Sequence, residues 1–216
     1  MRPCVFSKSR RENGEQKGYL QAFYENPAEN AAAFQIIVFA SAVRAFEELV
    51  AEMRKMHPDP QTPIVVIADR THIDQLLFWN LQCDRGNSNW LMNEAYMGVW
   101  ELWRRFVPIP RHILFFQTST VQQCMQRLAE RANAPHNDGT EVTEVNGVTI
   151  EYQTQLFAKH CRWYTAPLAH PPFATPEGIP CTHINVDADF RHDVDAFAQL
   201  EIRVWEEIKQ LFPKIK

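Results

Sequence analysis

Residues 62–74, TPIVVIADRTHID, decide how the rest of the chain is organised. Ile64, Val65, Val66 and Ile67 form a continuous β-branched run, the pattern of a strand buried on both faces of a parallel sheet. Pro63 stands at its start, where a missing backbone donor costs least. The run stops at Asp69, Arg70 and Thr71, so an acid, a permanent cation and a hydroxyl fall at the strand's carboxyl end. Ligands bind at that edge of open α/β sheets. An Asp–Arg ion pair followed by a helix-capping threonine is the alternative reading of the same three residues.

On the amino-terminal side, Phe34, Ile37, Val38, Ser41, Ala42, Ala45, Phe46, Leu49, Val50 and Met53 recur at helical spacing. They predict a helix over 27–56 that ends at His57-Pro58. Phe39 falls just outside this stripe. Residues 19–24, YLQAFY, predict a helical turn closed by Asn26-Pro27, and residues 7–18 read as loop.

On the carboxyl side, Leu76, Leu77, Trp79 and Leu81 predict a helix that Asp84-Arg85-Gly86-Asn87 breaks. A helix over 92–106 carries Tyr96, Trp100, Trp103 and Phe106; a core or dimer-forming face outweighs a base-stacking one. HILFFQTS, residues 112–119, predicts a second buried strand. Thr118, Ser119 or Thr120 can cap the next helix, where Arg127 and Arg131 share one face. Residues 133–147 are turn formers of the kind found in lids and binding loops. A helix from about Thr149, a proline-rich connection, a strand CTHINV and a helix over 193–212 complete the pattern. Strands alternating with helices predict one doubly wound α/β domain over 1–216, a parallel sheet flanked by helices.

Composition bounds the function. With 45% apolar and 22% charged residues and a net charge of −4, nothing suggests a broad basic surface for nucleic acid. No apolar run approaches the roughly 18 residues a membrane helix needs. The five cysteines form no CxxC pair, against zinc and redox motifs. A cytoplasmic location is expected; the basic, acid-poor first residues leave a mitochondrial one as the alternative.

Five short segments, in this order and spacing, resemble the deoxynucleoside kinase family. Tyr24-Glu25-Asn26-Pro27 followed by Phe34-Gln35 resembles its Tyr-x-x-Pro…Phe-Gln segment. Asp69-Arg70-Thr71 resembles its acid-Arg-Ser motif, and Arg127-x-x-x-Arg131 the arginines of its lid, here over about 127–147. Residues 156–163, LFAKHCRW, are similar to its Leu-His-x-x-His-Glu-x-Trp helix, with Cys161 replacing the acid. Residues 186–190, VDADF, resemble its adenine-side segment.

The resemblance implies a nucleoside-kinase-like fold of the P-loop NTPase type and ATP-dependent 5′-phosphorylation of deoxynucleosides, with Mg²⁺, in nucleotide salvage. It implies that Gln35 pairs its amide with the base and that Tyr24 meets the sugar 3′-hydroxyl. Arg70 would hold the reacting 5′ end. Arg127 and Arg131 would clamp phosphate charge. Asp69 would stand near the metal, through water, and Asp189 and Phe190 would border the adenine. A homodimer through a helical face is implied as well; Phe39, Trp90 and Trp103 are candidates for it.

The departures matter as much. The 216 residues contain no GxxxxGK[ST] phosphate loop, so the backbone cradle, its lysine and its Mg²⁺-binding hydroxyl have no counterpart here. The family's general base, a Glu before a Pro, corresponds to Arg2 before Pro3, and its third lid arginine to Asn133. The expectation is an amino-terminally incomplete domain lacking the fold's first strand, inactive as it stands. The other hypothesis is a kinase-derived binding or assembly subunit. Without the first strand, residues 64–68 and 112–117 lose a common neighbour, at about 1–3 kcal/mol per buried backbone group left unpaired. An upstream segment, a partner, or direct pairing of the two strands would each meet that cost.

Overall fold

The computed structural model describes residues 9–12, 15–59, 64–133, 145–165 and 179–213, with the side chains of 9–17, 163 and 165 excepted. The described chain opens with an antiparallel hairpin, β1 (Ser9–Glu12) and β2 (Glu15–Gly18), where the sequence read as loop. Helices α1 (Tyr19–Glu25) and α2 (Pro27–Met56) follow. Pro27 opens α2 at its first position, where no intrahelical donor is lost. Next come α3 (His72–Asp84) and α4 (Trp90–Trp103), the latter passing into a 3₁₀ turn at Arg104–Phe106. Then follow β3 (Ile113–Gln117), α5 (Val121–Ala132), α6 (Ile150–Thr165), β4 (Cys181–Asn185) and α7 (Val194–Leu211). Residues 134–144, where the sequence suggests a lid, most of the proline-rich connection, Pro63 and the Arg2-Pro3 pair lie outside the described residues.

β3 and β4 pair in parallel, with Phe115 opposite His183. Strand alternation sends Phe115 and His183 to one face. There Phe115 meets Tyr164 of α6, centroids 4.8 Å apart, and His183 Nε2 lies 3.2 Å from the Tyr164 carbonyl. The opposite parity carries Thr182, whose hydroxyl donates to Glu207 of α7 at 3.2 Å. Helices therefore cover both faces of the parallel pair, the α/β layering that the alternating pattern predicts.

The segment read as the central strand departs from expectation. Residues 64–68 enter no ladder among the described residues, and Ile67 is 73% exposed. They do not close up on β3, which pairs with β4 instead. β-branched residues favour strands through packing and pairing with neighbours rather than by themselves. No described strand supplies that neighbour.

The core centres on α3. Ile73, Leu76, Leu77, Trp79 and Tyr96 form one buried cluster, and Trp79 stacks on Tyr96 at 4.5 Å. Polar atoms at the ring edges are satisfied. Trp79 Nε1 donates to Asn93, Tyr96 Oη to the Gln75 carbonyl and Trp100 Nε1 to the His72 carbonyl. Tyr96, Trp100 and Trp103 of the stripe thus pack against the core rather than form a base-stacking surface, whereas Phe106 is exposed. On α2 the buried positions are Ala31, Phe34, Gln35, Phe39 and Val43. Phe39, expected outside the stripe, is fully buried and faces Trp103 at 5.8 Å. Leu49 and Met56, at the far end of α2, are exposed.

Candidate functional site

Among the described residues, α1, α2, α3, β3, α5, α6 and the segment after β4 enclose a cavity of about 430 Å³, within the range of small-ligand pockets. Phe23, Phe34, Phe78, Phe115 and Phe157 line it, flat apolar walls suited to a planar ring. Phe23 and Phe34 stack at 4.7 Å with an 11° interplanar angle. Its lining side chains include Arg70, Arg127 and Arg131 and no Asp or Glu. Three guanidinium groups, with no carboxylate among the described lining residues, favour an anionic ligand.

Gln35 lines this cavity at 4% exposure. It is the third of three residues, Ala31, Phe34 and Gln35, that the helical period turns inward on the first turns of α2. Among the described residues nothing hydrogen-bonds its amide. Tyr24, at the end of α1, also lines the cavity and packs on Phe23 at 5.1 Å. Gly147 lies so close to the Tyr24 ring that a Cβ there would come within 2.2 Å of Cγ. Only glycine allows the chain before α6 to approach that wall so closely.

Arg70 adopts φ +66°, the left-handed region, which costs a non-glycine residue roughly 1–2 kcal/mol. Such outliers persist where the surroundings over-determine them, often at functional sites. The next residue begins α3 with a capping box. Thr71 Oγ1 accepts from Ile73 N, and Asp74 Oδ2 accepts from Thr71 N at 2.7 Å. The Arg70 guanidinium lies 4.9 Å from the centre of the Phe78 ring and lines the cavity. Asp69 is exposed and stands outside the cavity lining. The Asp–Arg–Thr run therefore divides its duties: Thr71 caps, as the alternative reading has it, while Arg70 faces the cavity.

Thr120 and Gln123 form a second capping box at the start of α5, which sets Arg127 and Arg131 one turn apart on the cavity wall. Arg127 Nη2 donates to the carbonyls of Asp187 (3.2 Å) and Ala188 (3.0 Å), and its guanidinium lies over Phe190 at 5.0 Å. Helix α5 and the segment after β4 are thereby tied together. Asp187 accepts from Ser119 N at 2.6 Å, from the Ser119 hydroxyl and from Asn185 Nδ2. The Ser119 hydroxyl, Asn185 and the Ser119 amide hold its pKa down at about 2. Asp189 accepts from His192 Nδ1 at 2.8 Å. Asp189 and Phe190 stand outside the cavity lining.

Two lining residues were not read from the sequence as site residues, Thr118 having been read only as a possible helix cap. Gln117 and Thr118 lie at the carboxyl end of β3. The strand-end rule that picked 69–71 would have found them had it been applied to the second strand. Gln75 lines the cavity, whereas Ala42 is exposed on α2. His160 also lines it, with Nδ1 donating to the Leu156 carbonyl at 2.9 Å. Burial lowers its pKa, a shift that the Leu156 carbonyl partly offsets.

Mg²⁺ and ATP fit these residues only in part. The arginines suit phosphate oxygens, but no group of three His, Cys, Asp or Glu gathers among the described residues. Magnesium held mainly by substrate phosphates needs only one or two protein carboxylates, a demand that Asp69 alone could meet. No helix of the described residues is long and apolar enough to cross a membrane.

The chain is similar to deoxycytidine kinase 2 of Gallus gallus, 25% identical over 180 residues that cover 81% of this chain and 62% of the relative. It thus spans less than two thirds of that relative's length. A family model described as deoxynucleoside kinase matches residues 5–212, nearly the whole sequence. With the parallel α/β layering and the cavity at its sheet edge, that match identifies the chain as a member of the deoxynucleoside kinase family.

Proposed function

We propose that the chain forms the nucleoside-binding body of an ATP-dependent deoxynucleoside 5′-kinase, and that these 216 residues alone bind a deoxynucleoside without phosphorylating it. The observation that carries this reading is the cavity itself. A buried amide with no hydrogen bond among the described residues, aromatic walls, and three arginines with no carboxylate among the described lining residues match a base, a sugar and a phosphate in turn. The Gln35 amide offers donor and acceptor to the base edge, Tyr24 a hydroxyl to the sugar, and Arg70 a fixed cation to the 5′ end. Arg127 and Arg131 receive phosphate charge; Asp189 and Phe190, on the far side of Arg127, flank the adenine, and Asp69 contacts Mg²⁺ through water.

ATP supplies the phosphoryl group in this family, and Mg²⁺ neutralises its charge. Phosphoryl transfer depends on positioning and charge stabilisation. These 216 residues contain no GxxxxGK[ST] loop, the element that provides both. A second reading, a kinase-derived binding or assembly subunit, draws on Asn133 in place of the third lid arginine and Cys161 in place of the acid.

Calorimetry with the four deoxynucleosides tests the proposal, alongside a coupled assay with ATP and Mg²⁺. Binding is expected, and Gln35→Ala weakens it by about 1–3 kcal/mol because the base edge stays desolvated without partners. Equal affinities for both proteins refute the role of Gln35. Turnover near ~1 s⁻¹, the low end for kinases, refutes the claim of inactivity. Absence of binding by the wild type favours the assembly subunit.

A further inference from the structure

We propose that Asp74 and Tyr164 form a lock that holds the Arg70 turn in place, so that the Arg70 guanidinium is presented to the 5′ end of the ligand; its purpose rests on the nucleoside-binding reading above. A residue at φ +66° does not hold itself there, because the extended and right-handed regions are open to it at lower energy. The constraint comes from the next peptide. The orientation of the Thr71 N–H follows from the Arg70 ψ angle, and that N–H donates to Asp74 Oδ2 at 2.7 Å. The Thr71 hydroxyl donates to the same oxygen at 3.2 Å.

The other carboxylate oxygen leaves the local turn altogether. Asp74 Oδ1 accepts from the Tyr164 hydroxyl at 2.6 Å, across a sequence separation of 90. Tyr164 belongs to α6, the helix whose His160 and Phe157 line the cavity. Asp74 is only 9% exposed, so its carboxylate depends on these donors rather than on water. Burial, with the Asp74 carboxylate beside it, raises the Tyr164 pKa and keeps the phenol a donor. One turn beyond Asp74 on the same helix, Phe78 carries the guanidinium over its ring at 4.9 Å. One carboxylate thus joins the arginine-bearing turn to the opposite wall. Neither Asp74 nor Tyr164 lines the cavity. They are positioning residues, acting through Arg70.

Tyr164→Phe removes one oxygen and keeps the ring that packs on Phe115 at 4.8 Å. Two readouts are combined: amide hydrogen exchange at Thr71, and calorimetric affinity for a deoxynucleoside 5′-monophosphate and for the matching uncharged deoxynucleoside. Exchange at Thr71 is expected to quicken. Monophosphate affinity should fall about tenfold, the scale of a charge-assisted hydrogen bond, while deoxynucleoside affinity changes by less than about twofold. Asp74→Asn, which keeps a capping oxygen, serves as the second variant and moves both readouts the same way. Unchanged exchange at Thr71 in both variants overturns the lock. Equal weakening of both ligands also overturns it, since a general structural defect would do that. If the wild type binds neither ligand and exchange still quickens, the lock stands and the nucleoside-binding reading falls.

Discussion

Two substitutions at Arg70 separate what its backbone costs from what its side chain does. Arg70→Ala and Arg70→Gly both remove the cation over Phe78, so that loss cancels between them. They differ at the backbone, held at φ +66°. Alanine keeps a left-handed cost of roughly 1–2 kcal/mol, and glycine escapes it while losing about 0.5–1 kcal/mol more chain entropy on folding. The glycine variant should therefore be more stable by about 0.5–1 kcal/mol. The cation contact itself, at this exposed site, is worth about 0.5–1 kcal/mol, so glycine should land near wild type and alanine below it. Urea unfolding reads this directly, as a shift in midpoint at constant slope. Both variants should lose affinity for a 5′-monophosphate to the same extent. An alanine variant as stable as the glycine variant would show that the Arg70 turn relaxes once its side chain is gone, and the reasoning about strain would fail.

Phe39→Ala should cost about 3–5 kcal/mol, because the ring is fully buried against Trp103; a thermal midpoint close to wild type would contradict that packing. Asp187, with a folded-state pKa of about 2 against an ordinary 3.8, contributes stability that is present above the higher value and lost as pH falls through the lower. Between pH 5 and 2 the wild type should lose stability more steeply than Asp187→Asn, and parallel profiles would dismiss the clamp. With Phe39 buried, a homodimer would rest on Trp90, Leu91, Leu102 and Phe106, all exposed. Such apolar faces commonly mark self-association. Sedimentation at micromolar concentration should show a species heavier than the 25.2 kDa protomer; a concentration-independent monomer excludes it.

The sequence by itself determined the helices and their ends. Periodicity placed α2, α3, α5 and α6, and Thr71 and the run Thr118-Ser119-Thr120 announced two of their starts, because helical hydrogen bonds and caps join residues a few positions apart. It also determined the family, through short segments whose order survives in one dimension. Among the lining residues it found Tyr24, Gln35, Arg70, Arg127 and Arg131.

Only the tertiary structure decided the rest. The run at 64–68 has a strand's composition, yet strand pairing needs a second chain segment, and no described strand provides it. The hairpin at Ser9–Glu12 and Glu15–Gly18 carries none of the alternating apolar residues that betray a strand. Phe39 looked peripheral because the stripe was drawn through positions that turn out exposed further along α2. Which face of a long helix is buried depends on what packs there, in this case Trp103. The left-handed turn at Arg70 left no local trace, because it is fixed by Asp74 in concert with a tyrosine on a helix far along the chain. Contacts within a few residues are encoded locally, whereas those that close the cavity depend on distant segments arriving together.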